Sequence, residues 1–287
     1  MIQESRTFLA SVLCVVVAAC TTSAPGKRVT EDVGPVSAYA RNNLAINNPS
    51  GIIKVGEGFE KAGDYAGALA LFRQALAAAP DLLEAKIAVA RVLIPLGRDT
   101  EAVEALSALL EQHPQSRMTR MALVDAQVAS GTYESASNTF APLLVGASAP
   151  EVYDMAGRLA FVAGNSDRAL QYFDAALKLD ANHLQTLRHL ALAYAINAKF
   201  ESAVALLKPA MDHPGSQLDA QRTLATIYAL SGQKSAALHI ARSAMASEEA
   251  NNMRVFYELL PRLSRLEQAE ALMFDRVPKE AILHLRR

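Results

Sequence analysis

Tryptophan is missing from the 287 residues, and aromatic side chains of all kinds make up only 6%. A sheet, which draws on aromatic and β-branched residues, has little material here. Cysteine is as scarce. Cys14 and Cys20 both fall within the first twenty residues, which excludes a disulfide framework and a cysteine-based zinc site over the rest of the chain. Neither sign of charge dominates, with 28 Lys and Arg against 29 Asp and Glu. Nucleic-acid binding draws on a clustered basic surface that releases counterions, so no nucleic-acid partner is expected. With 14 glycines and 12 prolines the chain is neither collagen-like nor of low complexity. After residue 20 no apolar run reaches the roughly 20 residues of a membrane-spanning helix. What remains is a hydrophobic share of 51%, carried by alanine and aliphatic side chains, which suits closely packed helices.

The start of the chain reads as a processing signal. Arg6 precedes an apolar run from Phe8 to Ala19, too short to span a bilayer and suited to the core of a signal peptide over residues 1–19. Val17-Ala18-Ala19-Cys20 resembles a bacterial lipobox, with valine where leucine is commoner. The resemblance implies cleavage before Cys20 and lipidation of its thiol; an ordinary secretory signal with an incidental cysteine is the alternative. Several acyl chains, at about 0.8 kcal/mol per buried methylene, make such an anchor effectively permanent. Thr21, in place of the aspartate that retains lipoproteins at the inner membrane, favours the outer membrane, facing the periplasm. Residues 20–48 contain Pro25, Gly26, Gly34 and Pro35 and read as a flexible, solvated tether.

From residue 49 the chain repeats itself. Ala68, Ala102, Ala136, Ala169, Ala203 and Ala237 are separated by 34, 34, 33, 34 and 34 residues. Five residues before each stands Gly63, Gly97, Gly131, Gly164 or Gly232, with Ala198 replacing the glycine once. Four residues after stand Phe72, Leu106, Phe140, Phe173 and Leu207. A period of this length marks a stacked array of helix pairs, none able to bury its apolar face alone. Small residues at a crossing let two antiparallel helices approach, and bulky ones fill the groove beside them.

The phase of this period resembles the tetratricopeptide repeat. Units begin near residues 49, 83, 117, 150, 184 and 218, with the small first-helix residue at Gly56, Ala90, Gly157, Ala191 and Ala225 and Val124 as the exception. The resemblance implies an all-α solenoid of six helix-turn-helix units over residues 49–251, and residues 252–287 read as capping helices and a tail. The usual tryptophan four residues into each unit is replaced by Ile52, Lys86, Arg120, Tyr153, Leu187 and Gln221. Pro95 is expected late in a first helix, and Pro142 and Pro209 inside second helices, each removing a backbone hydrogen bond. Met253–Leu260 and Arg262–Phe274 are expected to close the last open face.

Chemistry is harder to find. His113, His183, His189, His213, His239 and His284 show no metal-ligand spacing, Gly56-x-Gly58 lies inside a helix, and no Gly-x-Ser-x-Gly elbow occurs. No catalytic residue, metal or cofactor is assigned, and the chain is not expected to be an enzyme. In the family the inner surface is formed by first-helix positions two, five, six, nine, twelve and thirteen. Carried over, these place Arg91, Asp125, Asp154, Arg158, Arg188, His189 and Arg222 on a partner-binding groove. Arg188 and Arg222 share position five of adjacent units, with Arg158 nearby, so three guanidiniums are expected to grip a carboxylate or an acidic segment. Solvated groove charges, some paired with Asp154, are the plainer alternative. The Lys/Asn clamp of chaperone-binding members is absent, its positions holding Ile53, Glu57, Ile87 and Arg91.

A finer resemblance runs over the whole chain. Leu224-Ala225-Thr226-Ile227-Tyr228-Ala229-Leu230-Ser231-Gly232, Glu248-Glu249-Ala250-Asn251-Asn252, Phe256-Tyr257 and Leu206-Leu207-Lys208-Pro209 are similar to the TadD-type lipoproteins of tight-adherence (Flp) pilus systems. That implies an envelope scaffold that binds protein subunits of a secretion complex, a secretin among them. A pilotin-like or cell-wall adaptor lipoprotein, and a regulatory subunit of a periplasmic hydrolase, are the rival readings.

Overall fold

The computed structural model describes residues 48–212 and 214–277. The signal, Cys20 and nearly all of the tether lie outside the described residues, as do His213, His284 and Pro278. Among the described residues there are fourteen α-helices and no strand. None of these helices is long and apolar enough to cross a membrane.

Two compact units divide the chain between Val145 and Gly146. The first holds α1 (Pro49–Lys61), α2 (Tyr65–Ala78), α3 (Leu83–Leu93), α4 (Asp99–Gln112), α5 (Arg117–Ala129) and α6 (Tyr133–Phe140), then a 3-10 turn at Ala141–Leu144. The second holds α7 (Pro150–Val162), α8 (Ser166–Leu179), α9 (Leu184–Ile196), α10 (Phe200–Met211), α11 (Gln217–Leu230) and α12 (Lys234–Ala244). It continues with α13 (Ser247–Leu259), a 3-10 turn at Leu260–Arg262, and α14 (Arg265–Met273).

Each pair is built as the period demands. All six spaced alanines have no exposed surface, and Phe72, Phe173 and Leu106 beside them are equally dry. A phenylalanine moved from water into such a slot contributes roughly 1.5–3 kcal/mol. Glycine opens the slot. A Cβ built on Gly56 would lie 2.4 Å from Cε1 of Phe72, and one on Gly157 lies 2.5 Å from Cε1 of Phe173. The turns between paired helices need a left-handed residue, with φ of +81° at Gly63 and +85° at Gly164. Ala198 takes the same conformation at +59° without the freedom of glycine. Side-chain caps at Asn48, Asp64, Ser116 and Asn165 accept hydrogen bonds from backbone N–H groups of the first turn.

Three expectations about helix ends need correction. Pro95 does not sit in a helix, because α3 stops at Leu93, and α6 stops at Phe140, so Pro142 falls in the 3-10 turn. The residues before these prolines, Ile94 and Ala141, are still helical, but each proline lacks the N–H that would bond back to the preceding turn, so the α-helical ladder ends there. Only Pro209 lies inside its helix, α10. The second closing helix begins at Arg265, after Pro261 has tightened the chain into a 3-10 turn, and Ser264 and Glu267 form a reciprocal capping box there.

The C-terminal segment also goes elsewhere than expected. α13 stacks on α11 and α12 in the place of a further first helix, with Tyr257, Leu259 and Leu260 buried. α14 does not complete that pair. It turns back and lies against α7 and α9, the first helices of the fourth and fifth repeats.

Candidate functional site

First-helix residues carry the sequence-based candidates, and the two units present them differently. In the first unit Arg91 on α3 forms a two-pronged ion pair with Glu60 on α1, Nε to Oε1 at 3.0 Å and Nη2 to Oε2 at 2.6 Å. This fork ties one repeat to the next. Asp125 is exposed on α5.

In the second unit the candidates converge. Asp154 on α7 and His189 on α9 are 5% and 2% exposed. His189 Nδ1 lies 2.8 and 3.0 Å from the two carboxylate oxygens of Asp154, and its Nε2 lies 3.1 Å from Nη2 of Arg188. Burial drives the imidazole down to a pKa of about 4, Arg188 and Arg158 pushing the same way against Asp154. Burial alone would raise the Asp154 carboxyl, but the hydrogen bond from His189 and the nearby charges outweigh it and hold it below its ordinary value. The ring is therefore neutral near pH 7, its Nδ1–H donating to the carboxylate and its Nε2 accepting from the guanidinium. With that lone pair occupied, His189 is not poised to serve as a base.

The three arginines of the expected groove each face a group from the end of the same chain. Arg158 Nε donates to the Met273 carbonyl at 2.8 Å, and its guanidinium sits 4.6 Å from the centre of the Phe274 ring. Arg188 and Arg222 line the same two cavities, of about 80 and about 440 Å3, and Asp275 lines the smaller. Asp275 keeps an exposed edge, yet the protein crowded around its carboxyl raises the pKa by desolvation while Arg188 and Arg158 oppose that rise. Arg222 stands 3.6 Å from Glu249 on α13 and 3.5 Å from Asp219, ion-pair rather than hydrogen-bond distances. Among the described residues no three His, Cys, Asp or Glu side chains cluster as metal ligands would.

Sequence models of the tetratricopeptide repeat match residues 60–121, 121–183 and 155–212. The chain belongs to the tetratricopeptide-repeat family. A tetratricopeptide-repeat protein from Parabacteroides merdae is 16% identical, with 83% of this chain and 97% of that chain covered and a TM-score of 0.62. Pseudomonas aeruginosa pilF is also 16% identical, over 75% of this chain and 99% of that one, at a TM-score of 0.51. Residues 41 to the end of Desulfovibrio magneticus MamA are 16% identical over 64% and 99%, at a TM-score of 0.50. At these identities the likeness is one of fold. No curated protein matches the sequence.

Tetratricopeptide-repeat proteins generally act as scaffolds that hold protein partners, and this chain shares their typically non-enzymatic architecture. Within it the repeat register brings Asp154, Arg158, Arg188, His189 and Arg222 to one face, and leaves Arg91 and Asp125 in the other unit. Three contributors fall outside the sequence-based candidates. Glu60 occupies position twelve of the first unit, so the register held a signal for it. Glu249 and Asp275 lie on the segment that leaves the alternation of helix pairs, where position in a repeat no longer says which face a side chain meets.

Proposed function

We propose that the protein is a lipid-anchored adaptor of the bacterial envelope that captures a segment of another protein and helps assemble a tight-adherence (Flp) pilus secretion apparatus. The observation that carries the reading is the face of α7 and α9, where Arg158 meets the end of a helix laid across them: a surface already able to seat a helical segment. Such grooves hold partner helices by apolar anchors with charged residues fixing their ends. The lipobox-like Val17-Ala18-Ala19-Cys20 supports anchoring, through Cys20, at the outer membrane facing the periplasm. The likeness of residues 206–209, 224–232, 248–252 and 256–257 to TadD-type lipoproteins supports the pilus assignment, with a secretin among the candidate partners.

Crosslinking in intact cells, followed by identification of the captured proteins, tests the function. Secretin or other pilus-apparatus subunits are the expected capture; a periplasmic hydrolase, with a rate altered by this chain, would replace the pilus reading by a regulatory one. Arg188→Glu with Arg222→Glu is expected to lower capture while the helical content stays intact. Palmitate labelling that disappears in Cys20→Ser checks the anchor separately.

A further inference from the structure

α14 is held the way a groove holds a foreign peptide. Its buried stripe is Ala269, Ala271, Leu272 and Met273. Its C-terminal carbonyl, at Met273, accepts from Arg158, which complements the negative end of the helix. Phe274 packs on that guanidinium, and Asp275, itself exposed, lines the rim of the cavity that Arg188 and Arg222 also line. At the other end Arg265 donates to Asn197 in the turn after α9.

The seat is complete in outline and imperfect in detail. A nine-residue helix is too short to persist without the surface beneath it. Asp275 adopts φ of +54°, a conformation that a side chain disfavours. Nε of Arg188 and Oε1 of Glu249 are buried without a hydrogen-bond partner among the described residues, so the guanidinium row is not fully used. Leu266 is half-exposed. α13 differs: Met253, Tyr257 and Leu259 are buried within the stack, and the 3-10 turn after it ends at Arg262, just before the Ser264 cap. A natural breakpoint therefore lies between the stacked helix and the returning one.

We propose that α14 and the residues just after it are a displaceable, intramolecular occupant of the arginine-lined face, and that the partner this face recognises is a helix of the same make. That helix carries an alanine–leucine–methionine stripe and ends in an aromatic residue followed by a carboxylate. The proposal rests on the adaptor reading above and adds to it the chemistry of the partner and a step that frees the site. A competing segment gains access only in proportion to the fraction of molecules with α14 detached, so resident and partner exclude each other.

The probe is a dye-labelled synthetic peptide of residues 264–277, titrated by fluorescence anisotropy against the full chain. The parent is expected to bind it weakly, because the site is filled. Phe274→Ala with Asp275→Ala weakens the resident and leaves the receiving face unchanged, so the peptide should bind at least about tenfold tighter. Adding Arg158→Glu and Arg188→Glu to that chain should remove the gain. Asp275→Asn alone, a near-isosteric change that keeps the packing, should give the same order with a smaller gain, which guards against misfolding of the double variant. Failure of the peptide to bind either weakened chain, with far-UV circular dichroism unchanged, overturns the proposal. Capture of pilus subunits in cells would survive that failure, since it does not require α14 to move.

Discussion

At the scale of single residues, two positions in the second unit are sensitive tests of the physics. His189 is neutral when folded because burial lowers its pKa from 6.5 to about 4. As pH falls from 6.5 towards 4 the unfolded chain takes up a proton that the buried ring refuses, so stability declines. The slope is up to about 1.4 kcal/mol per pH unit for one proton, and this group contributes none above 6.5. Asp154, held below its ordinary value, contributes stability that is lost only at more acid pH. Urea midpoints measured at pH 7.5, 6 and 5 should therefore fall, and fall less in His189→Gln, whose amide can still donate to Asp154 and accept from Arg188. Equal slopes in the two proteins would remove His189 as the cause. Ala198 makes the converse case. Among the described residues it is the one alanine at a left-handed turn between paired helices, where the other such turns hold glycine, and a non-glycine there costs roughly 1–2 kcal/mol, part of which glycine's own chain entropy returns. Ala198→Gly should raise the melting temperature by a few degrees, and Gly164→Ala, with open space around its Cβ direction, should lower it for backbone reasons alone.

Between helices the decisive quantity is the gap at the crossing. A methyl group on Gly157 meets the Phe173 ring, so Gly157→Ala forces the pair α7–α8 apart and should cost about 1–3 kcal/mol. Gly58→Ala, in α1 with nothing within 4 Å, should instead stabilise by up to about 1 kcal/mol through helix propensity. Opposite signs for two glycine-to-alanine changes in thermal unfolding would separate packing from propensity; a matching sign would refute the close approach. These slots were legible because the period repeats them: Gly56, Gly157 and the six alanines stand where the spacing puts them, and so do the left-handed turns. Helix ends were less legible. Register alone puts Pro95 and Pro142 in helices that in fact stop before them, since proline has no N–H with which to continue the ladder of the preceding turn. The site was legible only on one side. Spacing aligned Arg158, Arg188 and Arg222, but apart from Asp219 beside Arg222 the carboxylate and carbonyl groups they face come from a stretch that has left the repeat. Asp154 and His189 are buried against each other across the packed pair α7 and α9, which a register position alone does not foretell.

Over the whole molecule, packing mostly joins helices that are neighbours in sequence within each unit, as expected of a repeat array. α14 is the exception. Arg158 and Met273 are 115 residues apart, and Arg265 and Asn197 are 68 apart. Loop closure over such a distance adds little to the equilibrium cost, because that cost grows only with the logarithm of length. Contacts of long separation nevertheless form late, after local pairs have folded. The missing tryptophan makes this measurable. Phe274→Trp introduces a single indole over the Arg158 guanidinium, at the end of α14, and Tyr194→Trp in a separate chain reports on α9 within the repeats. On dilution from urea the helical circular dichroism and the α9 indole signal should recover together, and the α14 indole signal in a later phase. At equilibrium the α14 signal should be lost at lower urea than the other two, marking that helix as a low-stability element on a more stable stack. Coincident transitions for all three probes would instead make α14 part of one cooperative unit.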